Sequence, residues 1–260
     1  MTTPHAVLPP FVANPTLTVR WAASKEDILM AQKLRAIAFG FCPPETPSPD
    51  IVPERDLFDT HARHLIVIDR STGQCVGTYR LLDFRGAQKT GGFYTQTEFD
   101  LQPLSPFLED TLEVGRSCVH PDYRNGGAIT LLWSALARII QTEPVRFLMG
   151  CASVDLTDPS MDPDRIWSYL KRTGWDQSVE NVVPHRPYPC LDRPMGQKDV
   201  PVLPPLLKGY LRLGARCIGN PSHDPAFRTA DFPIWLPVGS MKDRYARHFF
   251  RSLLNEGRDS

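Results

Sequence analysis

The stretch from Leu112 to Ala152 limits what this 260-residue chain can fold into more than any other. LEVGRSCV (112–119) reads as a strand, HPDYRNGG as a glycine-rich turn, AITLLWSALARII (128–140) as an apolar helix and RFLMGCA (146–152) as a second strand. Strand, turn, helix, strand is the βαβ building block of a partly parallel sheet. Upstream, HLIVID (64–69) and CVGTYRLLDF (75–84) are β-rich runs separated by STG, which predicts an antiparallel hairpin. Together they predict an α/β fold with a mixed sheet.

The flanks extend this reading. Leu17–Trp21 alternates as a strand should, and Ser24 with Asp27 three residues on predicts a capped helix running to Gly40. Further helices are expected at 164–173, 203–213 and 240–255, and a last strand at 232–237. Twelve of the 26 prolines fall within 43–53 and 184–205, so two long ordered loops are expected at 41–60 and 176–205. Residues 1–16 read as a loose arm and 17–260 as one domain, since no linker forces a boundary.

Twenty-nine basic and 29 acidic residues give no net charge, which argues against a chain that coats nucleic acid. The six cysteines are scattered, with no C-x-x-C and no zinc spacing, as expected of reduced thiols in a cytoplasmic enzyme without a metal. No window approaches the roughly 18 apolar residues of a membrane span, and the first twenty residues lack a secretory pattern.

Several local patterns could carry chemistry. RNGG before a helix offers unpaired N–H groups to a phosphate, although glycines there also simply let a helix start close to a sheet. Glu113 and Arg116 are three apart on one strand, so they face opposite sides of the sheet unless a bulge intervenes. In ERDLFD, Asp56 and Asp59 lie one helical turn apart and could hold an ammonium group, a solvated acidic surface being the commoner explanation. Arg80, inside an apolar strand, needs a carboxylate, a phosphate or an outlet to solvent. There is no G-x-S-x-G, G-x-G-x-x-G, Walker loop or H-E-x-x-H, and Ser117, Cys118 and His120 sit too close on one strand to form a triad unaided.

In order, Arg35 and Phe39 (R-x-x-x-F), Asp56 and Asp59 (D-x-x-D), Gly77 and Arg80 (G-x-x-R-L-L), and Glu113 and Arg116 (E-x-x-R) resemble the branch of the GNAT acyltransferases that includes the acyl-homoserine-lactone synthases. VGTYRLL, EFDL, LEVGRSCVHPDYR, GCAS and LPPLLKGYLRLGA resemble, more closely, the bacterial L-ornithine Nα-acyltransferases, and the similarity runs over about residues 17–240. The resemblance implies a GNAT-like, mostly antiparallel sheet with a central parallel βαβ unit and helices on both faces. It implies transfer of a fatty acyl group, usually 3-hydroxylated, from acyl carrier protein to the α-amine of L-ornithine or a similar amino acid, giving a lyso-ornithine lipid. No cofactor is implied beyond the donor's phosphopantetheine thioester, and no nucleic acid.

By the same resemblance Glu113 is the catalytic glutamate with Arg116 beside it, and a backbone N–H near Cys118 or Val119 holds the oxyanion. Arg35, Phe39, Asp56, Asp59 and Arg80 serve the acceptor and the acyl channel, and Val119, Arg124, Gly126 and Gly127 the donor's phosphopantetheine. The superfamily's pyrophosphate loop, Q/R-x-x-G-x-G/A, ends here at Ile129, which fits a donor carried on acyl carrier protein better than coenzyme A. The tryptophan that follows R-x-x-x-F in autoinducer synthases is missing. An acetyl-CoA-dependent N-acetyltransferase, a quorum-signal synthase and a non-catalytic acyl-carrier-binding module are the rival readings. The 203–213 helix interleaves Lys208, Arg212 and Arg216 with leucines, so it is read as a core helix first and as peripheral contact with an anionic inner membrane second.

Overall fold

The computed structural model describes residues 16–196 and 198–241. Its elements begin with β1 (Leu17–Trp21), α1 (Lys25–Ala38), β2 (Arg63–Asp69), β3 (Cys75–Asp83), α2 (Phe84–Thr90), β4 (Phe99–Asp100) and β5 (Thr111–Val119). They continue with α3 (Gly127–Thr142), β6 (Phe147–Asp155), α4 (Pro163–Thr173), β7 (Val183–Pro184), α5 (Pro205–Leu213), β8 (Arg216–Cys217), β9 (Ser222–Asp224) and β10 (Thr229–Pro237). The sheet is mixed and mostly antiparallel, with β5 and β6 as its parallel pair. All but the last residue of the arm expected at 1–16, and nearly all of the helix expected at 240–255, lie outside the described residues.

The described chain divides into two compact units, and β5 passes from one to the other after Val114. The first comprises 16–81 and 115–143. Here the strands run in the order β1, β2, β3, β5. β1 pairs antiparallel with β2, Leu17 opposite Asp69, and the expected hairpin forms between β2 and β3. Ser24 caps α1 by accepting from the Asp27 N–H at 3.2 Å. The Asp27 side chain also accepts from the Ala23 N–H and pairs with Arg20. Ala31 and Leu34 on the inner face of α1 pack with Ile66, Cys75 and Cys118. Gly77 leaves room for α3, since a Cβ there would lie 3.3 Å from a Leu132 methyl.

The second unit comprises 82–114 and 144–241. β5 pairs in parallel with β6 over Thr111–Glu113, and β6 pairs antiparallel with β10 along its whole length. β8 and β9 pair with β10, while β4 and β7 form a separate two-stranded sheet. Phe147 stacks on Trp235 with ring centroids 4.8 Å apart, and Phe107 tilts against both. α5 buries Leu207 and Leu213 and exposes Lys208 and Arg212, the amphipathic division of a helix laid on a core. Residues 84–90 form α2, which begins where the sequence reading ends β3. Asp83 caps it by accepting from the Gly86 N–H at 2.8 Å, and Gly91, at φ 81°, closes it. Among the described residues no helix is long and apolar enough to cross a membrane.

Candidate active site

In the first unit, α1, the loop before β2, β3 and β5 each bring charged side chains to one place. Arg35 grips Asp59 with two hydrogen bonds, 2.8 and 2.6 Å, and its Nε lies 2.5 Å from Glu54 Oε2. Glu54 Oε1 contacts Arg116 Nε at 3.3 Å, and Arg116 Nη2 donates to Asp56 at 3.0 Å. Arg80 Nη1 then bridges Asp56, at 2.6 and 2.7 Å, and Asp59, at 3.0 Å. The contacts close a ring, Asp59, Arg35, Glu54, Arg116, Asp56, Arg80 and back to Asp59, in which the charge alternates and cancels. Each guanidinium lies between two carboxylates, the arrangement that makes burial of Arg35 and Arg80 and partial burial of Arg116 tolerable.

The local chain explains the ring. Asp56 caps the short 3-10 turn Leu57–Thr60, accepting from the Phe58 N–H at 3.0 Å, and Gln32 from α1 donates to Asp59 at 2.9 Å. Burial alone would raise the Asp59 carboxyl, but the hydrogen bond and charge of Arg35 and the charge of Arg80 outweigh it and hold the group well below the usual carboxylate range. Burial likewise opposes the charge of Arg35, yet Asp59 and Glu54 keep its pKa above the ordinary value. His64 Nε2 donates to the Asp59 carbonyl at 3.0 Å, and burial, the largest influence, lowers its pKa.

Thus five of the sequence-predicted residues, Arg35, Asp56, Asp59, Arg80 and Arg116, meet in one cluster, and Asp56 and Asp59 face guanidinium groups of the chain itself. Glu54 is the member the sequence reading missed; its only signal was a third carboxylate two residues before Asp56. Arg116 adopts φ 49°, in the left-handed region, so the strict alternation of β5 breaks there and face assignments by parity stop at that residue. Phe39, the C-cap of α1, packs against the Ala31, Leu34, Ile66 core. In the expected donor loop, Gly126 at φ 97° precedes α3, Gly127 opens it, and exposed Arg124 contacts the Val119 carbonyl at 3.4 Å. Ile129 sits half-buried on the first turn.

Glu113 lies in the second unit, 3% exposed. Its Oε2 accepts from the Tyr94 N–H at 2.9 Å, and its Oε1 from the N–H of Thr95 at 2.7 Å and the Thr95 hydroxyl at 2.5 Å. The 3-10 turn Tyr94–Thr97 aims these donors. It is fixed in turn by Gln96, which accepts from the Phe93 N–H at 2.7 Å and occupies the space a side chain on Gly92 would need. The sequence reading took GG at 91–92 as a break and did not see the cradle behind it.

The thiols of Cys75, Cys118, Cys151, Cys190 and Cys217, buried or partly buried, are poor nucleophiles. Burial pushes Cys75, Cys190 and Cys217 up to about 12, and Cys118 and Cys151 also rise.

Residues 36–134 match the family described as an acetyltransferase (GNAT) domain. The fold is also similar to that of FeeM, an N-acyl amino acid synthase from uncultured soil microbes, with a TM-score of 0.50 at 14% identity over 94% of this chain and 98% of that one. Residues 36–134 thus carry a domain of the GNAT acetyltransferase type. Among curated proteins, the L-ornithine N(alpha)-acyltransferase of Brucella abortus (strain 2308) is 35% identical over 255 residues, 90% of this chain and 89% of that protein. The protein of the same name from Rhizobium meliloti (strain 1021) is 33% identical over 261 residues, 92% of this chain and 85% of that protein. The chain belongs to the L-ornithine N(alpha)-acyltransferase family.

Proposed function

We propose that the chain transfers a fatty acyl group, 3-hydroxylated in the usual case, from the thioester of acyl carrier protein to the α-amine of L-ornithine. The observation that carries this reading is the identity to L-ornithine N(alpha)-acyltransferases over nine-tenths of the chain. An α-amine with a reference pKa near 8 is mostly protonated at neutral pH, so aminolysis needs a base. Glu113 takes that role, directly or through one water, as its carboxylate is held in one orientation by three donors. The ammonium first gives one proton to Glu113, and the neutral amine nitrogen then bonds to the thioester carbon. As the C–S bond breaks, the second proton from nitrogen passes to the pantetheine sulfur, which leaves as the thiol, and Glu113 releases its proton to solvent. The raised thiol pKa values favour this direct attack over an acyl-cysteine intermediate.

The ring of Arg35, Glu54, Asp56, Asp59, Arg80 and Arg116 orders the 54–60 loop. The segment around Val119, Arg124, Gly126 and Gly127 serves the phosphopantetheine arm, whose single phosphodiester asks less of the loop than a pyrophosphate would. The test is turnover of purified protein with 3-hydroxyacyl-ACP, the matching acyl-CoA and acetyl-CoA against a panel of amino acids, with products read by mass spectrometry. Acyl-ornithine made with a clearly higher kcat/KM from acyl-ACP is the expected result. Equal use of acyl-CoA contradicts the donor assignment, and acetylation alone contradicts the lipid reading.

A further inference from the structure

The second unit holds a carboxylate cluster that the chemistry above does not use. Glu98 precedes β4, Asp224 ends β9 and Asp231 lies within β10, where it pairs opposite Ser222 of β9. One oxygen from each of the three lies within 4.8 Å of the others, and the residues are 6%, 6% and 3% exposed. Ser222 Oγ donates to Glu98 at 2.7 Å, and one Asp224 oxygen accepts the N–H groups of Ala226 and Phe227 at 2.8 and 3.2 Å. Asp231 Oδ1, by contrast, is buried and lacks a hydrogen bond of good geometry, although the hydroxyls of Ser153 and Thr229 stand near the carboxyl. A buried carboxylate oxygen without a well-placed donor, beside two further carboxylates, is costly unless a ligand answers it.

The charges around it narrow the ligand to a cation. Burial first, then Glu98 and Asp224, pushes the Asp231 carboxyl up to about 6 against the hydroxyls of Ser153 and Thr229. Burial and Asp224 also raise Glu98, against Ser222, Arg186 and His185. A primary ammonium brings one charge and three N–H donors, one for each carboxylate. A hard divalent ion such as calcium asks for about 6–8 oxygens; of the six that the three carboxylates carry, one Glu98 oxygen and one Asp224 oxygen already accept hydrogen bonds. The cluster also neighbours the reaction. Cys151 of β6 feels the charges of Asp231, Glu113 and Glu98, and its sulfur lies 3.9 Å from the Thr95 hydroxyl that donates to Glu113.

We infer that Glu98, Asp224 and Asp231 form the pocket for the side-chain ammonium of the amino-acid acceptor, and so select a diamino acid over an apolar one. This inference rests on the acceptor reading above and deepens it. The test compares ornithine with norvaline, the same carbon skeleton without the terminal amine, in the full-length protein and in Asp231→Asn and Glu98→Gln. The ornithine-to-norvaline ratio of kcat/KM should exceed about tenfold in the parent and fall about tenfold or more in each variant, the value of one charge-assisted hydrogen bond. A ratio unchanged in both variants, with unchanged circular dichroism, overturns the inference. Calorimetric titration with 1,4-diaminobutane, without any acyl donor, separates the two levels. Binding that is competed by ornithine and lost in Asp231→Asn supports the pocket even if no amino acid is acylated, which would overturn only the catalytic reading. No binding to the parent overturns the pocket, and so does calcium or magnesium binding that excludes the diamine and is lost in both variants.

Discussion

Glu113 and Asp59 are both nearly dry carboxylates, yet their partners give them different work. Asp59 meets two guanidinium groups, while Glu113 accepts from the N–H groups of Tyr94 and Thr95 on one turn. Glu113→Gln places an amide NH₂ where an acceptor oxygen faced an N–H, so kcat should fall roughly 10²-fold if the carboxylate is the base. Steady-state turnover with circular dichroism as control checks this, and near-normal turnover removes Glu113 from that role. Thr95→Val withdraws one donor and leaves both N–H groups, so a smaller fall in kcat with little change in KM is expected. In the ring, Asp59→Asn leaves Arg35 and Arg80 each short of a buried partner and should cost on the order of 3–5 kcal/mol by urea denaturation. Asp56→Asn, at a residue with a 21% exposed side chain, should cost less; equal losses would mean that burial does not set the scale. Much of this was legible in sequence, because Arg35, Asp56, Asp59, Arg80 and Arg116 stand in recognisable patterns. Spacing alone could not say that the aspartates answer the arginines of the same chain, nor bring in Glu54, since ion pairing across 60 residues leaves no periodic trace.

Elements were legible where pattern and punctuation agreed. β2, β3, β5, α3 and β6 combine apolar runs with turn residues at both ends, and the structure places them within a few residues of expectation. α2 was missed because FRGAQKT has little apolar periodicity, although Asp83 and Gly91 bracket it as caps. β4, β7, β8 and β9 are two or three residues long, below the length at which alternation can be read. The close approach of β5 and β6 has a single-residue cause: a Cβ on Gly150 would lie 2.4 Å from the Val114 carbonyl oxygen. Backbone cannot yield as a side-chain tip does, so Gly150→Ala should spread the two strands next to Glu113. A loss of about 1–3 kcal/mol is expected in thermal or urea melts, with a fall in kcat larger than that loss of folded protein explains. An unchanged melt and unchanged turnover would show that β5 and β6 tolerate the wider spacing.

The buried titrating groups of the two units predict opposite responses to acid. In the first, burial lowers the pKa of His64, so as pH falls below its ordinary value near 6.5 the unfolded chain takes a proton that the folded one declines, and stability is lost. Asp59, with its pKa held down by Arg35 and Arg80, adds a further loss once pH drops below about 4. In the second unit Asp231 is raised to about 6 and Glu98 is raised as well. Their folded forms keep protons that the unfolded chain releases, so stability is lost as pH rises from about 4 to 6 and recovered as it falls. Hydrogen exchange read by mass spectrometry, corrected for the intrinsic pH dependence of amide exchange, resolves the units by peptide. Between pH 7 and 5, peptides from β2 and β3 should lose protection while those from β9 and β10 gain it. Asp231→Asn should raise the protection of β10 at pH 7 and flatten its pH trend. Parallel loss in both units on acidification would mean that the Glu98, Asp224 and Asp231 carboxylates do not strain the fold when charged.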